Sequence, residues 1–482
     1  MPSVDQKQTD VESPLTPTQI GTDYAPGAAP LDYAVPMNLR PGSEKATRFR
    51  WVVLGLIFFA ITINYIDRLV MAVLSPDLIR IFGLSKIEYG WIGFAFAIAY
   101  ALGQVVCGGL LDRFGVRIGY AVSLAAWSVS SMAHAFAGGA WGFGIARGAL
   151  GVAESPAYPA ATKTLAEWFP KRERAFAFGF VNAGCNMGCI LAPLVVPLLA
   201  GPDARHWQWA FIATGGVGLV WLALWIPLYR APEEHPRVNR AELDYIHSDP
   251  DEPKAKIKWV TLLTYPQAWA FAIGKFLTDS MWWFYMTWFP NFLHDRHHVD
   301  LIHIGWPLVT IYAMADIGSL AGGWFSSSLI KRGMSINAAR KVAMFIAALG
   351  VVPIIFAQNP HVSMWVAVSM LALAASSHQA FSSNLYTLVS DMFPKRAVAS
   401  VAGLGGMCGY IGASIFQVIV GHLVDKQNNY TIPFLCAGLA YLAAFAAIHL
   451  LAPRMELAKF EEMEEPRGFE VISAPGTQSV SR

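Results

Sequence analysis

The chain has 482 residues, of which 55% are hydrophobic types and only 14% are Asp, Glu, Lys or Arg, and its formal net charge is +2. Soluble domains carry about 25% charged residues, so a water-soluble core of this size would leave too much apolar surface in water, whereas a lipid-facing protein can be apolar outside as well as inside. The near-neutral balance and the absence of a Lys/Arg-rich stripe argue against a nucleic-acid partner.

Residues 1–49 are polar, lack the apolar run of a signal peptide and are predicted to form a disordered cytoplasmic tail. Apolar runs able to cross about 30 Å of hydrocarbon as helices then fall at 51–75, 89–111, 118–137, 141–165, 175–200 and 208–229. A polar stretch at 231–266 interrupts them as a cytoplasmic central loop. They resume at 267–292, 304–329, 340–358, 362–389, 399–424 and 431–452, and a second polar tail occupies 454–482. The expected fold is an all-α membrane protein of twelve transmembrane helices in two six-helix halves, 50–230 and 267–453.

Loop charge sets the expected orientation. With a cytoplasmic N-terminus, the inner loops hold Arg113, Arg117, Lys171, Arg172, Arg174, Lys331, Arg332, Arg340, Lys341, Lys395 and Arg396, against Arg80, Lys86, Arg205, Arg296 and Lys426 outside. Both termini are therefore expected inside, in a multi-pass protein of the cell (inner) membrane. The halves also echo each other. Trp168-Phe169-Pro170-Lys171-Arg172 after the fourth span matches Met392-Phe393-Pro394-Lys395-Arg396 after the tenth, each before a Gly-rich helix.

Ionisable residues inside spans are costly and need a reason. Asp67 and Arg68 lie on span one, where adjacent residues point about 100° apart, so Asp67 can meet a neighbouring helix while Arg68 projects into a central cavity. Arg147 and Glu154 share a face of span four, which Pro156 and Pro159 should bend. A buried carboxyl keeps or loses its proton according to whether a cation pairs with it. A substrate carboxylate competing for Arg68 or Arg147 would thus release Asp67 or Glu154 to take up a proton. Lys275 and Asp279, four apart on span seven, read as a structural ion pair, or Lys275 faces the cavity as a second cation. His378, Gln379, Ser382 and Asn384 align hydrogen-bonding groups along span ten, as polyol recognition would need. Asp316 on span eight is a further intramembrane carboxylate with no assigned role. The five cysteines sit in apolar runs and read as packing residues, and His294-Asp295-Arg296-His297-His298 reads as a solvated loop without metal-ligand spacing. No cofactor or metal is expected, and the chain is expected to act as a monomer.

Gly108-x-x-x-Asp112-Arg113-x-Gly115-x-Arg117, between spans two and three, resembles the loop motif of the major facilitator superfamily, with a weaker echo at Gly322-x-x-x-Ser326 and Lys331-Arg332-Gly333. Asn64-Tyr65-Ile66-Asp67-Arg68, Ala146-Arg147-Gly148-x-x-Gly151-x-x-Glu154-Ser155-Pro156, Glu167-Trp168-Phe169-Pro170 and Trp207-Gln208-Trp209-Ala210-Phe211 resemble its anion:cation symporter branch. Lys275 to Trp282-Trp283-Phe284-Tyr285 and His378-Gln379-Ala380-Phe381-Ser382 bring it nearest to the hexuronate, or sugar-acid, transporters. The resemblance implies Asp67 and Glu154 as proton-coupling sites, Arg68 as carboxylate anchor and Arg147 as its partner. It also implies that Tyr65, Tyr100 and Gln104 line the cavity. Cys185 stands where the galactonate-like pattern has an amide, which turns the expectation away from galactonate. The implied activity is import of a hexuronate with protons. Symport of another organic anion (aldonate, tartrate, aromatic acid or phosphate) stays open. A membrane sensor or membrane-embedded enzyme has no supporting motif.

Overall fold

The structure is a computed structural model that describes residues 45–248, 259–393, 395–427, 430–456 and 458; the predicted tails beyond these and the centre of the 231–266 loop lie outside the described residues. In chain order the α-helices are α1 (Phe49–Phe82), α2 (Lys86–Ala133), α3 (Ala140–Glu154), α4 (Ala157–Trp168), α5 (Lys171–Ala200), α6 (Trp207–Leu228) and α7 (Arg240–Ile246). They continue as α8 (Trp259–Leu262), α9 (Pro266–His297), α10 (Gly305–Lys331), α11 (Ile336–Val351), α12 (Met364–Met392), α13 (Lys395–Gln427) and α14 (Thr431–Leu451).

Eight of the described helices are individually long and apolar enough to cross a membrane: α1, α5, α6, α10, α12, α13, α14, and α11 with its 3₁₀ extension. The other four crossings depart from that simple form for visible reasons. Helix α2 runs for 48 residues and carries two predicted spans, turned only at Gly115, whose φ of 73° suits a residue without a Cβ. The predicted loop between spans two and three is therefore a one-residue break in a continuous helix. Span four divides into α3 and α4 at Ser155-Pro156, because Pro156 cannot donate to the helix ladder and its ring crowds the preceding turn. Helix α9 crosses with Lys275 and Asp279 inside it. The twelve-helix transmembrane fold is thus present.

Small residues let the helices approach closely, as bilayer packing without a hydrophobic driving force requires. A Cβ at Gly188 of α5 would stand 2.7 Å from the Thr62 carbonyl oxygen of α1, so α5 lies directly against the turn that carries Tyr65 to Arg68.

The predicted boundary between tail and first span is tighter than expected. Glu242 of α7 is fully buried and accepts from Thr47 Oγ1 (2.6 Å), the Phe49 and Arg50 main-chain N–H groups (3.0 and 3.2 Å) and Arg50 Nη1 (3.1 Å). Its carboxylate thus caps the first turn of α1, where unpaired N–H groups favour negative charge. Burial by itself would favour the neutral acid, but the Thr47, Phe49 and Arg50 donors outweigh it and hold Glu242 below the ordinary carboxyl value. The histidine-rich stretch is a second correction: His294 to His297 form the last turn of α9 rather than a loop, and Asp295 there is engaged by Lys86 and Tyr430.

Candidate functional site

The centre of the molecule is organised around Arg68, about two-thirds along α1 and only 5% exposed. Its Nε and Nη2 both donate to Glu154 Oε2, at 3.0 and 2.8 Å, and Nη2 also reaches Asn64 Oδ1 at 3.3 Å. Glu154 is the last residue of α3, so the break at Pro156 sets its carboxylate at a helix end facing α1. Four rings surround the guanidinium, with centroids 4.9 Å (Tyr65), 5.0 Å (Tyr100), 5.4 Å (Phe96) and 5.5 Å (Trp283) away. Such rings attract a desolvated cation through their quadrupoles and exclude water from the ion pair.

Asp67 points the other way, as its 100° offset from Arg68 dictates. It is 1% exposed, accepts from Ser131 Oγ of α2 at 2.9 Å, and meets no Arg or Lys within ion-pair distance among the described residues. Arg147 does not pair with Glu154 despite sharing its helix face. Its Nη2 donates to the Arg68 main-chain oxygen at 3.0 Å, its Nε meets Met71 Sδ at 3.4 Å, and Phe96 lies beneath it at 5.4 Å. Arg147 therefore braces α1 from behind and forms no direct ion pair with a described carboxylate. A small cavity joins the two guanidinium groups, lined further by Tyr89, Ile92, Trp283 and Gln417.

The remaining sequence-predicted residues divide. Tyr100 stacks on Tyr410 of the other half at 4.3 Å, and Gln104 lies one turn farther along α2, opposite Gly406. Lys275 and Asp279 pair at 2.7 Å, with the Tyr386 ring 4.5 Å from the ammonium. His378 is buried, stacks on Trp282 at 4.7 Å and shares a 2.7 Å hydrogen bond with Tyr441. Asn384 donates to the Gly322 and Ala380 carbonyl oxygens at the crossing of α10 and α12. These two groups, expected to face a substrate, are occupied in holding helices of the second half together; Gln379 beside them is half-buried. In the loop motif, Arg117 Nη2 donates to the Ile226 carbonyl oxygen at 2.9 Å and Arg113 lies over Phe114, while the side chain of Asp112 and the residue Gly108 are outside what the structure describes.

Reading single spans missed the partners that come from elsewhere: Ser131 for Asp67, and Phe96, Trp283 and Tyr410 around Arg68. The Trp282-Trp283 pair was a visible signal, but nothing local says which indole turns inward. Also missed was the seam between the halves. At the end where α1 finishes and α2 begins, Lys86 Nζ binds Asp295 (2.8 Å) and Asn291 (3.2 Å), and Asn291 Nδ2 donates to Ser75 Oγ (2.7 Å). The Lys86 N–H donates to Asp425 (2.8 Å), and Tyr89 donates to the Thr287 carbonyl oxygen (3.0 Å). Gly90 and Gly421 lie against each other's helices too closely to admit a Cβ. These contacts tie the two six-helix halves together at this end.

Residues 57–416 match the family model of the Major Facilitator Superfamily. The D-galactonate transporter of Escherichia coli O6:H1 is 30% identical over 429 residues, spanning 86% of this chain and 97% of that protein. The hexuronate transporter of Escherichia coli K12 is 32% identical over 393 residues, spanning 79% of this chain and 89% of that one. Among solved structures, a bacterial homologue of the human lysosomal transporter Spinster, inward-facing and occupied, superposes with a TM-score of 0.65 at 20% identity, covering 84% of this chain and 95% of its own, a likeness of fold. Twelve apolar crossings around a buried, charged centre and these relatives lead to one conclusion: the chain belongs to the Major Facilitator Superfamily and is a multi-pass membrane transporter rather than an enzyme.

Proposed function

We propose that the protein imports a sugar acid, of the hexuronate class exemplified by glucuronate and galacturonate, by proton symport with alternating access. The supporting observation is the Arg68–Glu154 pair, sealed by four rings at the point where the halves meet. The sugar-acid class is supported by the D-galactonate and hexuronate transporters that the chain resembles.

The coupling follows from the cost of a broken buried pair. Removing one partner leaves an uncompensated charge, at a cost of about 3–5 kcal/mol. If a substrate carboxylate takes the fork of Arg68, Glu154 is stranded among apolar groups unless it binds a proton. Anion and proton then enter together, because either alone leaves a buried charge. Asp67, held by a hydroxyl rather than an ion pair, serves as the second proton site, and Arg147, which makes no direct ion pair, supplies a second positive charge that draws the anion in. With both termini cytoplasmic and the chain in the inner membrane of a bacterium, the closed end bearing Lys86 and Asn291 faces outward. The conformation is then the one that opens to the cytoplasm.

The test is uptake of labelled glucuronate, galacturonate and galactonate into proteoliposomes with acid outside. The parent should accumulate a hexuronate down the proton gradient. Asp67→Asn and Glu154→Gln should abolish accumulation while counterflow exchange persists. Absence of uptake and counterflow for all three acids would refute the substrate class, and accumulation indifferent to the gradient would refute the coupling.

A further inference from the structure

Asp316 stands apart from the other carboxylates of the membrane region. Asp67 has Ser131, Glu154 has Arg68 and Asp279 has Lys275, whereas no hydrogen bond or ion pair engages Asp316 among the described residues. It is half-buried near the middle of α10. An unpaired carboxylate at that depth costs a few kcal/mol on insertion scales, so a residue of this kind is a functional candidate by default.

Its direction is set by the helix. Ile317, Leu320 and Trp324 are exposed and form the outward stripe of α10, while Gly322 packs on Ala380 of α12. Asp316 lies about a quarter turn from that outward stripe, on the strip shared with Gly305 and Tyr312 that faces α5. A Cβ at Gly305 would stand 2.9 Å from the Pro193 carbonyl oxygen of α5. Farther along the same strip the Asp316 carboxylate is within electrostatic reach of Cys185 and Cys189 of α5, and Cys185 is likewise in reach of Tyr65 and Arg68. Arg68 and Asp316 thus approach the same part of α5 from opposite halves. Lys275, an intramembrane cation of the second half, is already neutralised by Asp279.

We propose that Asp316 determines specificity by reading the uncharged end of the substrate: it accepts hydrogen bonds from sugar hydroxyls and repels a second carboxylate. The cleft then takes monocarboxylic sugar acids and rejects diacids of the same chain length. The inference rests on the sugar-acid reading above and adds to it which acids are refused.

Galactonate and galactarate make the comparison, since they share hydroxyl configuration and differ in whether the sixth carbon is an alcohol or a carboxylate. Each is titrated as a competitor of labelled galacturonate in counterflow, using the reconstituted full chain. In the parent, galactarate should need at least about tenfold more ligand than galactonate for half-inhibition, a bound between the repulsion of two like charges in bulk water and near a protein surface. Asp316→Asn and Asp316→Ser should each shrink that ratio severalfold, chiefly by admitting galactarate. The ratio compares two ligands on one preparation, so loss of folded protein cancels. A ratio unmoved in both variants, or a parent that prefers galactarate, overturns this inference while leaving the sugar-acid reading intact. A parent inert to all three acids overturns both.

Discussion

Arg68 Nη2 lies 2.8 Å from Glu154 Oε2, joining the middle of the first span to the broken end of the fourth, with side-chain exposures of 5% and 0%. Two donors of one planar group meet a single carboxylate oxygen, and the rings of Tyr65, Phe96, Tyr100 and Trp283 close around the cation. A guanidinium suits this place because its fork binds a carboxylate through two N–H groups and its flat face lies against rings. An ammonium is a compact, strongly hydrated point charge.

Arg68→Lys should therefore weaken substrate binding at least about tenfold, as losing one charge-assisted hydrogen bond would, even though the formal charge is kept. Titration of ligand-dependent tryptophan fluorescence or half-saturation in counterflow measures it. Equal affinity in the lysine variant would place the anion elsewhere, with Arg147 the first alternative.

The seam at the α1–α2 end should behave as a latch. Lys86 engages Asp295 and Asn291 from the opposite half, and Asn291 in turn engages Ser75. Lys86→Met removes two of these contacts, worth about 1–2 kcal/mol together, and should raise the population open at this end roughly 5- to 30-fold. Labelling of an Ala72→Cys reporter, which lines the small cavity behind the latch, by a membrane-impermeant maleimide would rise accordingly. Unchanged labelling would mean that the packed glycines Gly90 and Gly421, rather than the polar contacts, hold this end shut.

Acid should loosen the clamp of α7 on α1. Native Glu242 titrates below its ordinary value of 4.5, so the unfolded chain binds the proton more readily than the folded one. The stabilisation is complete above about pH 4.5 and is lost as pH falls through and below that value. Thermal unfolding in detergent should show the parent losing stability as pH falls from about 5 to about 3. Glu242→Gln should start about 1–3 kcal/mol lower at pH 6 and lose less on acidification. Parallel pH profiles for the two proteins would remove Glu242 from the stability of the first span.

Much of this was legible along the chain. The apolar runs mark where the twelve crossings fall, because lipid forces each segment to satisfy its own backbone as a helix. The bend at Pro156, the opposite directions of Asp67 and Arg68, and the Lys275–Asp279 contact follow from helix geometry, which depends on neighbours only a few residues apart. The roles expected of His378 and Asn384 did not follow the same way. Polar residues in a span look alike in sequence whether they face a cavity or tie two helices together. Here Tyr441 and the Gly322 carbonyl oxygen, 63 and 62 residues away, occupy them.

The sequence by itself determined what each residue could do: the number of crossings, which spans carry charge, and which side of a helix each charge takes. Only the tertiary structure decided what those charges meet. Glu154 reaches Arg68 across 86 residues, Asp67 turns to Ser131, Arg147 braces a main-chain carbonyl, and Asp316 meets no cation among the described residues. Pairing depends on how helices cross, and crossings are set by close approaches such as Gly188 on Thr62. Those contacts arise between distant segments only when the whole bundle is assembled, so no local pattern encodes them.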